Sequence, residues 1–299
     1  MASAYTKVDL SQLAPPNVVE ALDFESILAA MLADLRARDA TFSALLESDP
    51  AYKILEVAAF RELLIRQRVN DAAKAVMVAY ATGADLDQIA ANYDVPRLLI
   101  TPADATTIPP TAAVYETDDE FRTRIILSLE GYTTAGSRGS YVFHALSASG
   151  DCKDVAVDSL TPGTVNVAVL SRTGTGAAPA GTIAAVVEAL NADVVRPLCD
   201  NVVVSSAVVT SYNIAASLTV FPGTGHAEVL AAAMAAVEVY AADQHRLGRD
   251  ITRSGIFAAL HQPGVQNVTI TSPSADIVIA WDHAPYCTGV DVVIGGSGA

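Results

Sequence analysis

The chain has 299 residues, of which 52% are hydrophobic and only 17% are charged, and this composition excludes a disordered polar protein. Acidic residues outnumber basic ones 33 to 18, which leaves a net charge of −15. Since phosphate groups are bound mostly by Lys and Arg, this charge argues against nucleic acid and anionic lipid surfaces as partners.

The cysteine content and the apolar segments indicate the cellular compartment in which the chain folds. Cys152, Cys199 and Cys287 are too few and too widely spaced for a disulfide framework or a structural zinc site. The N-terminus shows no apolar segment of the kind found in signal peptides, and no apolar run approaches the ~18 residues that a membrane helix needs. We therefore expect folding in a reducing cytoplasm without membrane insertion.

The first third of the sequence predicts helices. Apolar residues recur at helical spacing from Phe24 to Arg38. Asp49 is a good N-cap and Pro50 a good first helical residue, and neither Pro nor Gly interrupts the chain before Gly83. This predicts one helix of about 30 residues, ending at Gly83.

The predicted long helix carries apolar residues along its whole length, first at Ile54, Val57, Phe60 and Leu64 and then at Ile65, Val69, Ala72, Val76 and Tyr80. Two interpretations fit this pattern: a core helix crossing the domain, or a helix that docks on other chains. The second interpretation makes Ile65, Val69, Ala72, Val76 and Tyr80 the candidate interaction residues.

A shorter helix is predicted at 86–93, with Asp85 as its cap, and residues 101–118 are rich in Pro, Thr and Ala and predict a linker or extended arm. Thr117 and Glu120 form a capping box that opens a helix over 119–129. Its inward residues are predicted to be Phe121, Ile125, Ile126 and Leu129. We expect hinges at 101–117 and 131–139.

From residue 140 onward, short strands alternate with helices. Strands are predicted at 155–158, 165–171, 265–271 and 289–294, and helices at 140–147, 183–192, 227–245 and 254–261. The run 202–220 is predicted to hold two strands that meet near Ser211 and Tyr212. Residues 140–150 resemble residues 254–264 at an offset of 114, and an alternating strand follows each copy, so we expect two small tandem α/β sandwich domains.

The predicted fold class is therefore α+β: an N-terminal helical region with one long helix, followed by two small α/β sandwich domains. The predicted boundaries are 1–100 for the helical region, 101–139 for the arm, helix and hinge, 140–210 for the first sandwich domain and 211–299 for the second.

No recognisable catalytic, cofactor-binding or metal-binding pattern emerges. The five histidines lack metal-ligand spacing, and the Gly174–Gly176 turn lacks the Lys-Ser/Thr of a phosphate loop. The alternative function from residues alone is a cytosolic α/β enzyme or ligand-binding protein without a recognisable motif, using His226 or the Gly174 turn. A third alternative is an injected effector or adhesin.

Several segments in order along the chain resemble one family. They are residues 8–25, 47–50, 66–70, 79–87, 117–122, 196–200, the stretch Gln244-His-Arg-Leu-Gly-Arg-Asp250, and 254–264 with 276–278 and 286–288. Together they resemble the baseplate assembly protein J family of contractile-tailed phages and tailocins, over essentially the whole chain.

The resemblance implies a non-enzymatic structural subunit of the baseplate wedge, present in the virion tail baseplate and in the host cytoplasm before assembly. It further implies a second copy of the chain in each wedge, a helical bundle with an I-type tail protein, and a small sheath-initiator wedge protein as partners. The C-terminal domains would link neighbouring wedges around the spike hub, and the wedges would rearrange when the sheath contracts.

Overall fold

A computed structural model describes residues 10, 13–14, 22–133, 136–223 and 225–298. The chain forms two compact units, one of residues 7–96 and one that contains residues 97–299. The first is helical and the second combines helices with three small sheets, which confirms the predicted α+β class. Of the sequence predictions, the 8–25 resemblance, the 131–139 hinge and the region 1–100 lie partly outside the described residues.

In its described residues, the helical unit contains three α-helices: α1 (Phe24–Arg38), α2 (Pro50–Ala75) and α3 (Gly83–Ala91). The predicted bounds of α1 are confirmed, and Asp23 caps it by accepting the Glu25 N–H at 3.2 Å. Ile27 and Leu28 of α1 pack on Ala59 of α2 and form the core between these two helices.

The long helix is shorter than predicted. It ends at Ala75 after 26 residues, because Val76 leaves helical geometry and the chain continues in turns to Tyr80. The β-branched Val76 and Val78 favour helix weakly, so a stretch free of Gly and Pro was not sufficient to continue it. The prediction that Gly83 stops this helix is wrong: Gly83 has φ +52° and begins α3, for which Thr82 rather than Asp85 is the N-cap.

Residues 99–115 form a hairpin, so the prediction of a linker is wrong and that of an extended arm describes them better. Strands β1 (Leu99–Thr101) and β2 (Val114–Tyr115) pair antiparallel, and Asp104 and Thr111 exchange two backbone hydrogen bonds at 2.9 Å. The Asp104 carboxylate also accepts the Thr106 N–H at 2.8 Å, which folds the chain back.

Helix α4 (Asp118–Gly131) begins with the predicted capping box: Thr117 and Glu120 exchange side-chain-to-backbone hydrogen bonds. Phe121 and Ile125 are buried as predicted. The prediction that Leu129 points inward is wrong, since Leu129 is exposed while the polar Ser128 is buried. Ser128 can take an inward position because its hydroxyl donates to the Ile125 carbonyl at 2.7 Å.

A buried ion pair fixes the start of α4. Glu116 and Arg124 are only 3% and 4% exposed, and two hydrogen bonds of 2.5 and 3.0 Å join the carboxylate and the guanidinium. Glu116 also accepts the Leu98 N–H at 2.8 Å, and Arg124 donates to the Ser147 hydroxyl at 3.1 Å. The pair therefore ties the hairpin, α4 and the next helix together.

The first sandwich, as the structure has it, contains α5 (Arg138–Ala148), β3 (Cys152–Thr161), β4 (Thr164–Ser171), α6 (Ala180–Leu190) and β5 (Asn201–Ser206). Its sheet has the order β3-β4-β5, with β4 antiparallel to β3 and parallel to β5. Helices α5 and α6 pack against the sheet around a core that includes Tyr141, Val167 and Val186.

The second sandwich contains β6 (Val208–Val220), α7 (His226–Gln244), α8 (Arg253–Leu260), β7 (Val265–Ser272) and β8 (His283–Ser297). Its sheet has the order β7-β6-β8, and every second residue of β6 from Tyr212 to Val220 is buried. The run 202–220 does hold two strands, but they meet at Ala207 and not near Tyr212, because β6 pairs with β8 on both sides of Tyr212.

The two sandwiches have the same arrangement of strands in the sheet but a different order of elements along the chain. In each, a central strand (β4 or β6) lies between an antiparallel edge strand (β3 or β7) and a parallel edge strand (β5 or β8). The helix that precedes the antiparallel edge strand comes first in the first sandwich and after α7 in the second. The internal sequence repeat covers this helix–strand module.

Replacing Arg124 should destabilise the unit that contains residues 97–299. Arg124→Met leaves the Glu116 carboxylate buried without its partner, which costs about 3–5 kcal/mol of the free energy of unfolding. Arg138→Ala is the control: Arg138 pairs with Asp158 at 2.6 Å, but its side chain is 45% exposed, so a loss below about 1 kcal/mol is expected. Urea denaturation followed by circular dichroism measures both, and equal losses would contradict this account.

Protonation of His144 should weaken the fold below neutral pH. Burial lowers the pKa of His144 from its ordinary 6.5, and a hydrogen bond between its Nε2 and the Gly131 carbonyl opposes this shift. The stabilisation is present above pH 6.5 and is lost as pH falls through the lowered pKa of the folded state. His144→Gln should lose less stability than wild type between pH 7.5 and 5.5 in urea titrations; equal losses would refute the assignment.

Candidate interaction surface

Helix α2 has one side committed to its own unit. Tyr52, Leu55, Ala59 and Leu63, at helical spacing, face α1, and Ala59 is fully buried there. Pro50 opens the helix at its first position, as predicted. Asp49 occupies the N-cap position, but its carboxylate accepts the Leu46 N–H at 2.8 Å and so closes the preceding turn.

Away from α1, the surface of α2 carries a set of exposed apolar side chains. We define the α2 apolar face as the residues Ile54, Val57, Phe60, Leu64, Ile65 and Val69, whose exposed fractions run from 42% at Leu64 to 69% at Ile54. A helix on the surface of a globular protein normally carries charged and polar residues on the side that faces solvent. Phe60 and Val57 also line an open groove with Phe24, Glu56 and Arg61.

Several polar residues of α2 pair with each other along the helix. Arg66 donates to Glu62 at 2.5 Å, Lys53 to Glu56 at 2.9 Å, and Gln67 to Asp71 at 2.7 Å. The hydrogen bond to Glu56 raises the pKa of Lys53 above its ordinary value, so this amine stays charged. These polar side chains already have partners within α2. The α2 apolar face is therefore the part of this helix that gains most from contact with another chain.

The five candidate interaction residues divide into two groups. Ile65, Val69 and Ala72 are exposed on α2, whereas Val76 and Tyr80 lie beyond its end and do not continue the helical stripe. Val76 is 74% exposed, while Tyr80 is partly buried and its hydroxyl donates to the Leu13 carbonyl at 2.5 Å. Four further residues with the same helical spacing are exposed beside them and are not among the predicted candidates: Ile54, Val57, Phe60 and Leu64.

The residues that the sequence offered for an enzyme or ligand-binding site lie outside α2. His226 is the exposed first residue of α7. The Gly174 turn closes through a hydrogen bond from the Ser171 N–H to the Gly176 carbonyl at 2.8 Å, and α6 begins only at Ala180. Within the described ranges, no three side chains of His, Cys, Asp or Glu converge closely enough to hold a metal ion. Nor does any helix among those residues have the length and apolar character that a membrane span requires.

Comparison with known proteins settles the family. Three of its sequence models match in chain order: the Baseplate J-like N-terminal domain at 47–104, the central domain at 133–206 and the C-terminal domain at 212–293. Baseplate protein J of Escherichia phage P2 is 50% identical over 297 residues, which cover 97% of this chain and 98% of that protein. The chain belongs to the baseplate J family.

Membership of this family makes the chain a structural component of a phage tail baseplate. Among solved structures, a chain of the anti-feeding prophage baseplate, determined by electron cryomicroscopy, is similar at 14% identity with a TM-score of 0.42. That similarity covers 61% of this chain and 43% of the other.

Aspartate on the α2 apolar face should leave the free chain folded. Val69 is 49% exposed, so Val69→Asp is expected to change the free energy of unfolding by less than about 0.5 kcal/mol. Ala59→Asp, ten residues earlier on the buried side, should cost about 3 kcal/mol or more, because its carboxylate has no partner there. Urea denaturation of the purified chain distinguishes them; a large loss in Val69→Asp would show that Val69 belongs to the fold's own core.

Proposed function

We propose that this baseplate J family member is a wedge subunit of a contractile tail, a phage tail or a tailocin, and that the α2 apolar face is where it joins the wedge. The observation that carries the proposal is the exposure of six large apolar side chains on a helix that already packs on α1. A face of this kind gains hydrophobic free energy when another helix covers it.

The partner at this face is a helix of another wedge protein. The apolar residues follow helical spacing over about four turns from Ile54 to Val69, which suits helix-against-helix packing. A second copy of the chain and an I-type tail protein, joined in one bundle, are the partners we propose. A small sheath-initiator protein would contact the same wedge.

The two sandwiches would serve a different set of contacts, linking neighbouring wedges around the spike hub. Support comes from exposed apolar residues away from α2, such as Leu198 and Val278, which are 95% and 82% exposed. Domain boundaries near residues 100, 139 and 210 would let the linked parts turn when the wedges rearrange on sheath contraction.

The proposed role is non-enzymatic, and the chain would wait in the host cytoplasm before it joins the virion. This role requires the chain to bind other proteins and does not require it to catalyse a reaction. Its acidic net charge of −15 would favour solubility of the unassembled subunit.

Aspartate at Val69 should abolish wedge assembly. Once a partner covers α2, the introduced carboxylate is buried without a counter-charge, and several kcal/mol of binding free energy are lost. The variant is expressed in cells that produce all other tail proteins in their wild-type form. Val69→Asp should then lower the yield of particles with baseplates at least tenfold, as counted by electron microscopy.

Two matched variants control for charge and for substitution at this site. Val69→Ile keeps the face apolar and should assemble normally. Val239→Asp places the same charge on an exposed valine of α7, which the bundle does not use, and should also build baseplates. Normal assembly of the Val69→Asp variant would refute the proposal.

A further inference from the structure

The junction between the two sandwiches is narrow. A single residue, Ala207, separates β5 from β6. The Ala207 N–H donates to Val169 of the first sandwich at 2.8 Å, and the Val208 N–H donates to Asp282 of the second at 3.0 Å. The apolar contact around this crossing is small, consisting of Leu170, Ala207 and Ala284 with Leu247 packed against them.

A carboxylate of the first sandwich reaches across this junction. Asp154 lies on β3 at a register shift, and its Oδ2 accepts the N–H of Leu247, 93 residues further along the chain, at 2.9 Å. Its Oδ1 accepts the neighbouring Val155 N–H at 3.0 Å. The residue keeps some exposed surface, but its carboxyl group is enclosed by protein atoms.

The segment that receives Asp154 is held firmly in the second sandwich. His245 Nδ1–H donates to the Pro285 carbonyl at 2.7 Å, and the ring meets Tyr286 edge-on. The Gly248 N–H donates to His283 at 2.9 Å, and Asp250 accepts the Ile279 N–H at 2.7 Å. This is the stretch Gln244–Asp250, so its fixed position gives Asp154 a rigid donor to bind.

A glycine of the first sandwich fits against the same segment. Gly176 has φ +99°, and a Cβ added there would lie 3.0 Å from both Cε1 and Nε2 of His245 and 2.5 Å from Leu170. A side chain at residue 176 would therefore require Leu170 and the His245 ring to move, and the positive φ favours glycine there.

Burial and charge act against each other at Asp154. Lys153 lies beside it, and His245, Arg246 and Arg249 face it from the second sandwich. Burial raises the pKa of Asp154, while the Leu247 N–H and the two arginines oppose the shift. Desolvation offsets most of the stability that a buried carboxylate could contribute. Loss of its hydrogen-bond donor would be costly, however, so the carboxylate holds that donor in a fixed position.

We propose that Asp154 is the latch of this junction: by accepting the Leu247 N–H it fixes the orientation of the second sandwich on the first, and without this acceptor the two sandwiches turn about Ala207. The latch acts within one chain and is independent of how the wedge assembles. Asn at this position keeps an acceptor oxygen for Leu247 and should preserve the orientation, whereas Ala removes it.

Amide exchange in the full-length chain measures the latch directly. The Leu247 amide should exchange at least tenfold faster in Asp154→Ala than in wild type, and Asp154→Asn should stay close to wild type. Asp151→Ala is the matched control, because the Asp151 carboxylate accepts from the Ser171 and Thr182 hydroxyls, which both lie in the first sandwich. It should leave Leu247 exchange unchanged.

A distance measurement tests the orientation itself. Spin labels on the exposed Cys199 and on Val278→Cys, in a Cys287→Ala background, report on one sandwich each. Cys152 stays unlabelled, since burial raises the pKa of its thiol to about 12. Pulsed electron paramagnetic resonance should give one narrow distance in the labelled parent and in Asp154→Asn, and a broadened one in Asp154→Ala.

Unchanged Leu247 exchange and an unchanged narrow distance in Asp154→Ala would overturn the latch. If that variant does not fold, Asp154→Ser replaces it, since the serine hydroxyl is too short to reach Leu247. Rapid exchange of the Leu247 amide in wild type would also overturn the proposal.

Discussion

The structure depends on one constraint: the helical unit and each sandwich have to bury their apolar side chains between only a few helices and strands. In the helical unit, α1 covers one side of a 26-residue helix, and the other side keeps Ile54, Phe60 and Ile65 exposed. The sandwiches meet the same demand differently, since two helices close one face of each three-stranded sheet. Six exposed large apolar side chains therefore share the uncovered side of α2, which supports the proposed contact between chains at this helix.

Local signals in the sequence predicted much of this. The capping box at Thr117 and the bounds of α1 follow from side-chain hydrogen bonds and periodicity within a few residues. Predictions failed at the end of α2 at Ala75, the pairing of residues 99–115 and the buried position of Ser128. The pairing joins residues distant in sequence, whereas the end of α2 and the burial of Ser128 depend on weak local preferences that apolar spacing does not show.

The exposed residues of the α2 apolar face could be predicted only in part. Ile65 and Val69 follow from spacing alone, but apolar spacing does not tell which side of a helix its neighbour covers, so Ile54 and Phe60 needed the packing of α1. The Asp154 contact could not be predicted, because it joins residues 93 positions apart. The sequence stretch from Gln244 to Asp250 marks family resemblance, and the structure adds a physical reason for two of its residue types: the His245 ring lies against Gly176, and the Asp250 carboxylate accepts the Ile279 N–H.

The direct passage from β5 into β6 gives the chain a mechanical property. The parallel edge strand of one sheet continues, after one residue, as the central strand of the next, and that central strand is hydrogen-bonded to β7 on one side and β8 on the other. A tensile force along β5 and β6 therefore loads three ladders in shear, β4–β5, β6–β7 and β6–β8, and in each of them many hydrogen bonds share the load. Such a backbone transmits force between the sandwiches without first unravelling either sheet.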